Sequence, residues 1–209
     1  MSENYLSLVA KDKVYPIIRC KEAEQAVKIS RALVEGGVRV LEINVESPEI
    51  YGAIKEVSQY ATVCAGGIIT ATQADLAFQS GAKLFASPIF QMNLVKISKN
   101  LRIPFIAGVT TASEAYNAWK SRIPIIKLFP AAAMGGTQYI ENILRQMPFL
   151  NLMPTGDIKL SEVVSYLNAG AIAVGVGRDF YLGLSPDEIT ARTKEIITEV
   201  KDFTKWNKK

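Results

Sequence analysis

The stretch Ile-Pro-Ile-Ile-Lys-Leu-Phe-Pro, residues 123–130, is apolar at every position except Lys127. A short run of this kind reads as a strand of a parallel sheet, because such strands are buried on both faces. An ammonium inside it loses its hydration, which is costly unless an acid pairs with it or it goes neutral. A neutral buried amine is a nucleophile, and its usual chemistry is a Schiff base with a carbonyl substrate. A second such run, Val-Arg-Val-Leu-Glu-Ile-Asn-Val at 38–45, holds Glu42 in a similar setting. One buried base and one buried amine are the minimum equipment for imine–enamine chemistry.

Outward from 123–128, strand-like runs recur at 14–19, 38–44, 61–65, 83–87, 103–107, 150–153 and 171–175. Helix-favouring stretches fill the gaps at 21–35, 48–59, 71–80, 91–99, 111–121, 137–146 and 159–169. A last helix is expected over about 186–205, opened by Ser185-Pro186-Asp187, and a short first one over about 2–12. Gly36-Gly37, Gly81 and Gly170 follow helical runs, where C-terminal caps belong. Eight strands in strict βα alternation predict one compact (β/α)8 barrel domain over residues 1–209, its bottom covered by the first helix. The alternative is an open doubly wound sheet. Against its dinucleotide-binding form, Arg19-Cys20-Lys21 stands where a glycine-rich turn would follow the first strand.

Composition narrows the chemistry. The 209 residues are 49% hydrophobic, and 24 basic against 20 acidic residues give a net charge of +4. The excess is partly the Lys-rich tail from Lys201 to Lys209, read as a solvated helix end, so no nucleic-acid partner is expected. The two cysteines, Cys20 and Cys64, have neither metal-ligand nor disulfide-framework spacing and read as core residues of a reduced, cytoplasmic protein. No leader or membrane span is expected. Histidine is absent, which excludes Ser-His-Asp and Cys-His triads and His-ligated zinc. Acid–base work then falls to Glu, Asp, Lys, Tyr or the substrate.

In a barrel the site lies at the C-terminal strand ends, and alternation puts Lys127, Glu42, Asn44 and Arg19 on inward faces there. Structural salt bridges are the competing reading: a paired Lys127, a Glu42 partnered by Arg39, a rim pair for Arg19. Pro154-Thr155-Gly156-Asp157 follows the seventh strand and Gly175-Val176-Gly177-Arg178 the eighth. Glycine-rich loops in these two positions commonly hold a phosphate.

Glu42 within Val-Leu-Glu-Ile, Ser87-Pro88, Gly108-Val109, Lys127-Leu128-Phe129-Pro130, Pro154-Thr155-Gly156 and the closing Gly-Val-Gly occur in an order and spacing that resemble a known family. The resemblance is to the 2-keto-3-deoxy-6-phosphogluconate (KDPG) / 4-hydroxy-2-oxoglutarate (KHG) aldolases, over roughly residues 11–182. It implies a cytoplasmic, homotrimeric class I aldolase that cleaves a 2-keto-4-hydroxy acid to pyruvate plus an aldehyde, with neither metal nor organic cofactor. It implies Lys127 as the imine-forming lysine and Glu42 as the proton shuttle. The pyruvate pocket would then involve Arg19, Gly66, Gly67, Pro88 and Thr155. Gly156, Gly177 and Arg178 would receive the distal anionic end. A non-catalytic trimeric scaffold derived from the family, or another phosphate-binding barrel enzyme, are the rival readings. Five positions depart from the family pattern: Asn44 and Gly67 each replace a threonine, Asp157 a glycine, Arg178 a serine and Ala132 a glutamate. Asp157 in a phosphate nest repels a dianion, and Arg178 could offset it by pairing with Asp157 or by clamping the anion.

Overall fold

A computed structural model describes residues 5–206. Its eight strands are β1 (Val14–Ile18), β2 (Val40–Asn44), β3 (Thr62–Gly66), β4 (Leu84–Ala86), β5 (Phe105–Val109), β6 (Ile126–Leu128), β7 (Leu152–Pro154) and β8 (Val174–Val176). Between and around them run α1 (Tyr5–Asp12), α2 (Ala23–Glu35), α3 (Ile50–Val57), α4 (Ala71–Gln79), α5 (Met92–Leu101), α6 (Ala112–Lys120), α7 (Gly136–Gln146), α8 (Val163–Asn168) and α9 (Pro186–Trp206). All strand pairings are parallel, in the order β7-β6-β5-β4-β3-β2-β1-β8. The last seam, β7 to β8, is bridged at Thr155 and Gly175, so the sheet closes into the expected (β/α)8 barrel.

Strand alternation divides the core in two. Tyr15, Ile17, Val40, Cys64, Leu84, Ile106, Ile125 and Met153 pack together inside the barrel. Val14, Ile18, Leu41, Ile43, Val63, Phe105, Leu128 and Val174 belong to the larger layer shared with the helices. Val9 of α1 joins the inner cluster, with Tyr5, Leu6 and Leu8 against it, so α1 plugs the N-terminal mouth. The expected start of that helix at about residue 2 lies outside the described residues.

Local chemistry sets the element ends. Thr70 with Gln73 and Thr111 with Glu114 form capping boxes opening α4 and α6. Ser185 and Glu188 bond reciprocally at the start of α9. Gly37, Gly81 and Gly170, after α2, α4 and α8, take positive φ, as helix-ending glycines do. Six strands, β1, β2, β4, β6, β7 and β8, are shorter than the runs expected for them. The β6 ladder begins at Ile126, because Pro124 has no N–H to donate. β1 stops at Ile18, because the Arg19 N–H donates to the Tyr181 hydroxyl at 2.9 Å. The 159–169 helix opens with a tight 3-10 turn, Leu160–Glu162, before α8, and a further turn, Arg178–Phe180, was not foreseen. No helix among the described residues is long and apolar enough to cross a membrane.

Candidate active site

Lys127 and Glu42 meet inside the barrel. Lys127 Nζ donates to Glu42 Oε1 at 2.7 Å, with the two side chains 4% and 0% exposed. They come from β6 and β2, separated by 85 positions in sequence, and alternation aims both inward. Two buried charges are tolerated because each neutralises the other. Glu42 is not a partner of Arg39, which bonds instead to Asp12 at 3.1 Å.

Glu42 is held from above by an amide. The Asn44 side chain satisfies both its neighbours in one orientation. Its amide nitrogen donates to Glu42 Oε1 at 2.9 Å and its oxygen accepts from Arg19 Nη1 at 3.0 Å. Gly66, across the ladder from Asn44, leaves the room they need, since a Cβ there would lie 2.6 Å from Glu42 Cγ and closer still to Glu42 Oε1 and the Asn44 amide. Gly66 therefore makes space for the base. Gly67 takes φ +71 in the loop beyond β3. The other carboxylate oxygen, Glu42 Oε2, has no hydrogen-bond partner among the described residues.

Tyr15 and Cys64 complete the surroundings of Glu42. The Tyr15 phenol is held protonated well above its ordinary range, by burial first and then by the charges of Cys64 and Glu42. Burial, with Glu42 beside it, also pushes the Cys64 thiol up. Tyr15 lies on the same inward face as Ile17 and Arg19, so the alternation that singles out Arg19 also carries the signal for Tyr15.

A cleft of about 420 Å³ lies at the C-terminal strand ends; Arg19, which touches Asn44, and Phe129, two residues after Lys127, line it, whereas Lys127 and Glu42 do not. Ile17 and Thr155 form its floor, Phe129 and Pro130 one wall, and the Gly156-Asp157 and Gly177-Arg178 loops its far end. Thr155 is buried, and its backbone locks β7 to β6 through Thr155 N–H to Leu128 O at 2.9 Å. The Gly175 backbone lies so close to Thr155 Oγ1 that no side chain fits there. Pro88 sits where the β4 loop presses on Gly108, on the other side of the barrel mouth. Arg19 is one-third exposed and faces Glu46 at 3.9 Å, so it combines a rim ion pair with its contact to Asn44. A larger cavity, about 580 Å³, lies at the opposite end between α1 and α9, lined by Lys11, Arg39 and Lys201, away from the catalytic pair.

Of the two ways in which Arg178 could offset Asp157, direct pairing is not seen among the described residues. Asp157 instead takes a left-handed conformation, φ +53, at the cleft rim. The carboxylate that binds internally is Asp179, whose Oδ2 accepts from Leu160 N–H at 2.8 Å. Asp179 follows the glycine loop after β8, and no local sequence pattern marks it for this contact. The catalytic-type pair, the Arg19–Asn44 brace and the open cleft make an arrangement that can capture a carbonyl compound and move its protons.

Comparison with known proteins identifies the family. The family model described as "Aldolase: KDPG and KHG aldolase" matches residues 6–197. The chain is similar to the KHG/KDPG aldolase of Escherichia coli (strain K12), 32% identical over 164 residues, 77% of each chain. It is similar to the 2-dehydro-3-deoxy-phosphogluconate aldolase of Dickeya dadantii (strain 3937), 32% identical over 192 residues, 88% of this chain and 90% of that one. Among solved structures, the KDPG aldolase of Legionella pneumophila "with pyruvate captured at low pH as a covalent carbinolamine intermediate" superposes with TM-score 0.83 at 28% identity. That match covers 91% of this chain and 96% of that one. The chain belongs to the KDPG and KHG aldolase family, and it is a carbon–carbon lyase of the aldolase type.

Proposed function

We propose that the protein is a class I aldolase that cleaves a 2-keto-4-hydroxy acid to pyruvate and an aldehyde through an imine on Lys127. The candidates from its relatives' names are 2-keto-3-deoxy-6-phosphogluconate and 4-hydroxy-2-oxoglutarate. The observation that carries the reading is the 2.7 Å contact between two buried groups, an amine and a carboxylate, inside the barrel.

The chemistry follows from the pair. Glu42 takes a proton from Lys127, and the free amine adds to the C2 carbonyl. Loss of water from the carbinolamine, with Glu42 returning the proton to its hydroxyl, gives the iminium. Glu42 Oε2 then accepts the C4-hydroxyl proton as the C3–C4 bond breaks. The bonding electrons flow into the iminium and leave an enamine plus the aldehyde. Protonation at C3 by Glu42 and hydrolysis release pyruvate and restore the amine. Arg19 is assigned to the keto-acid carboxylate, Pro88, Thr155 and the Gly66-Gly67 backbone to the pyruvate pocket, and Gly156, Gly177 and Arg178 to the far end.

An inert scaffold has no use for this pair, which apolar residues would replace at equal or greater stability. The trimer implied by the resemblance is supported by exposed apolar residues, among them Leu76, Phe78, Trp119 and Phe149. Light scattering that returns the mass of one chain would reject it. A cytoplasmic setting is proposed on the same resemblance; a signal-directed export of the native protein in fractionation would reject it. The reaction itself is tested by pyruvate release from the two candidate keto acids. Lys127→Ala abolishes release, and a Lys127→Ala protein that still turns over contradicts the mechanism.

A further inference from the structure

The far end of the cleft mixes carboxylates with its cations. Two carboxylates line it, Asp157 and Asp179, against three cations, Arg19, Lys159 and Arg178. Arg19 is already engaged by Glu46 and Asn44. The N–H groups that open the short Leu160–Glu162 turn are also engaged. Leu160 N–H donates to Asp179 Oδ2 and Lys159 N–H to Glu162 Oε2, each at 2.8 Å. Backbone donors in such a position are what an anion would use, and here the chain supplies its own acids. Asp157 adds a third feature. It holds φ +53, a conformation that favours glycine, so a carboxylate stands at the rim in spite of the backbone's preference.

A phosphate dianion needs donors for three oxygens and a net positive field. With Arg19 assigned to the keto-acid carboxylate, two cations, Lys159 and Arg178, meet two carboxylates, Asp157 and Asp179, and the field is balanced. Hydroxyl groups suit such a place, since they donate to Asp157 and Asp179 and accept from Lys159 and Arg178. We propose that the distal end of the cleft takes an unphosphorylated, hydroxyl-bearing tail and selects against a phosphorylated one. The proposal rests on the aldolase reading and narrows it: the imine half of the reaction is unchanged, and the aldehyde half loses its phosphate.

The test runs the reaction in the synthetic direction with pyruvate and either D-glyceraldehyde or D-glyceraldehyde 3-phosphate, comparing kcat/KM. The native protein prefers glyceraldehyde. Asp157→Asn combined with Asp179→Asn removes both charges; Asn tolerates the left-handed conformation and can still cap Leu160. Each lost charge facing a dianion at close range in water is worth about tenfold, so the ratio moves toward the phosphorylated aldehyde by at least about tenfold. A native protein that prefers glyceraldehyde 3-phosphate, or a double variant with an unchanged ratio, overturns the proposal. Borohydride trapping of pyruvate on the same samples reads the imine step alone. Its loss would count against the aldolase reading, whereas a wrong aldehyde ratio with trapping intact counts only against the distal assignment.

Discussion

Gly66→Ala is the substitution that most directly probes how the site is built. The new methyl carbon would lie 2.6 Å from Glu42 Cγ and nearer to Glu42 Oε1 and the Asn44 amide. Carbon atoms pack at about 3.5–4.0 Å, so the Glu42 side chain must withdraw by about 1 Å. It cannot do so and keep its 2.7 Å contact with Lys127. Overpacking costs about 1–3 kcal/mol, and partial unpairing of a buried ion pair adds a share of the roughly 3–5 kcal/mol that full unpairing costs. The sum is about 3–5 kcal/mol, which lowers Tm by on the order of 10 °C in a domain of this size. A 1 Å misplacement of a reacting group also costs about a hundredfold in rate. Urea unfolding and pyruvate release, measured on the same preparation, give both numbers. Gly52→Ala is the control, because Gly52 lies in α3 with nothing within 4 Å of an added Cβ. It stabilises by about 0.5–1 kcal/mol. Gly66→Ala with native turnover and a Tm within about 2 °C of native would refute the placement of Glu42 under Gly66.

Two further outcomes follow from burial. Lys127→Met alone strands Glu42 and destabilises by about 3–5 kcal/mol in urea unfolding, whereas Glu42→Gln with Lys127→Met regains at least half of that and stays inactive. A double variant no more stable than Lys127→Met would mean that the pair holds the barrel together. The cysteines give a second check. Burial, with Glu22 and Glu46 nearby, pushes the Cys20 thiol up to about 11, and Cys64 is fully buried and also pushed up. At pH 8 about one Cys20 in a thousand is then thiolate, so iodoacetamide labels the folded protein slowly and labels both cysteines once it is unfolded. Rapid native labelling of Cys20 would contradict its placement.

Much of this architecture was legible in the sequence because each element carried its own signal. The apolar runs around Lys127 and Glu42 and the glycines after helices marked strand and helix ends to within a few residues. Alternation alone put Lys127, Glu42, Asn44 and Arg19 on inward faces. What stayed hidden depends on contacts between distant segments. That Arg39 turns to Asp12 and leaves Glu42 to Lys127 is a matter of which strand faces meet, and no local pattern records it. Gly66 read as a loop donor, yet its lack of a side chain serves Glu42, which lies 24 positions earlier. Asp179 accepts from Leu160, 19 positions away, a contact that no local pattern announces. Tyr15 carried the same inward signal as Arg19 but hides among apolar neighbours.

The central claim is that Lys127 forms the imine. The direct measurement is borohydride reduction with and without pyruvate, followed by peptide mass spectrometry. The account predicts a pyruvate-sized adduct on the peptide containing Lys127, dependent on both reagents and absent from Lys127→Ala. A folded protein that gains no adduct while a control aldolase does, or one modified at another lysine, would contradict it.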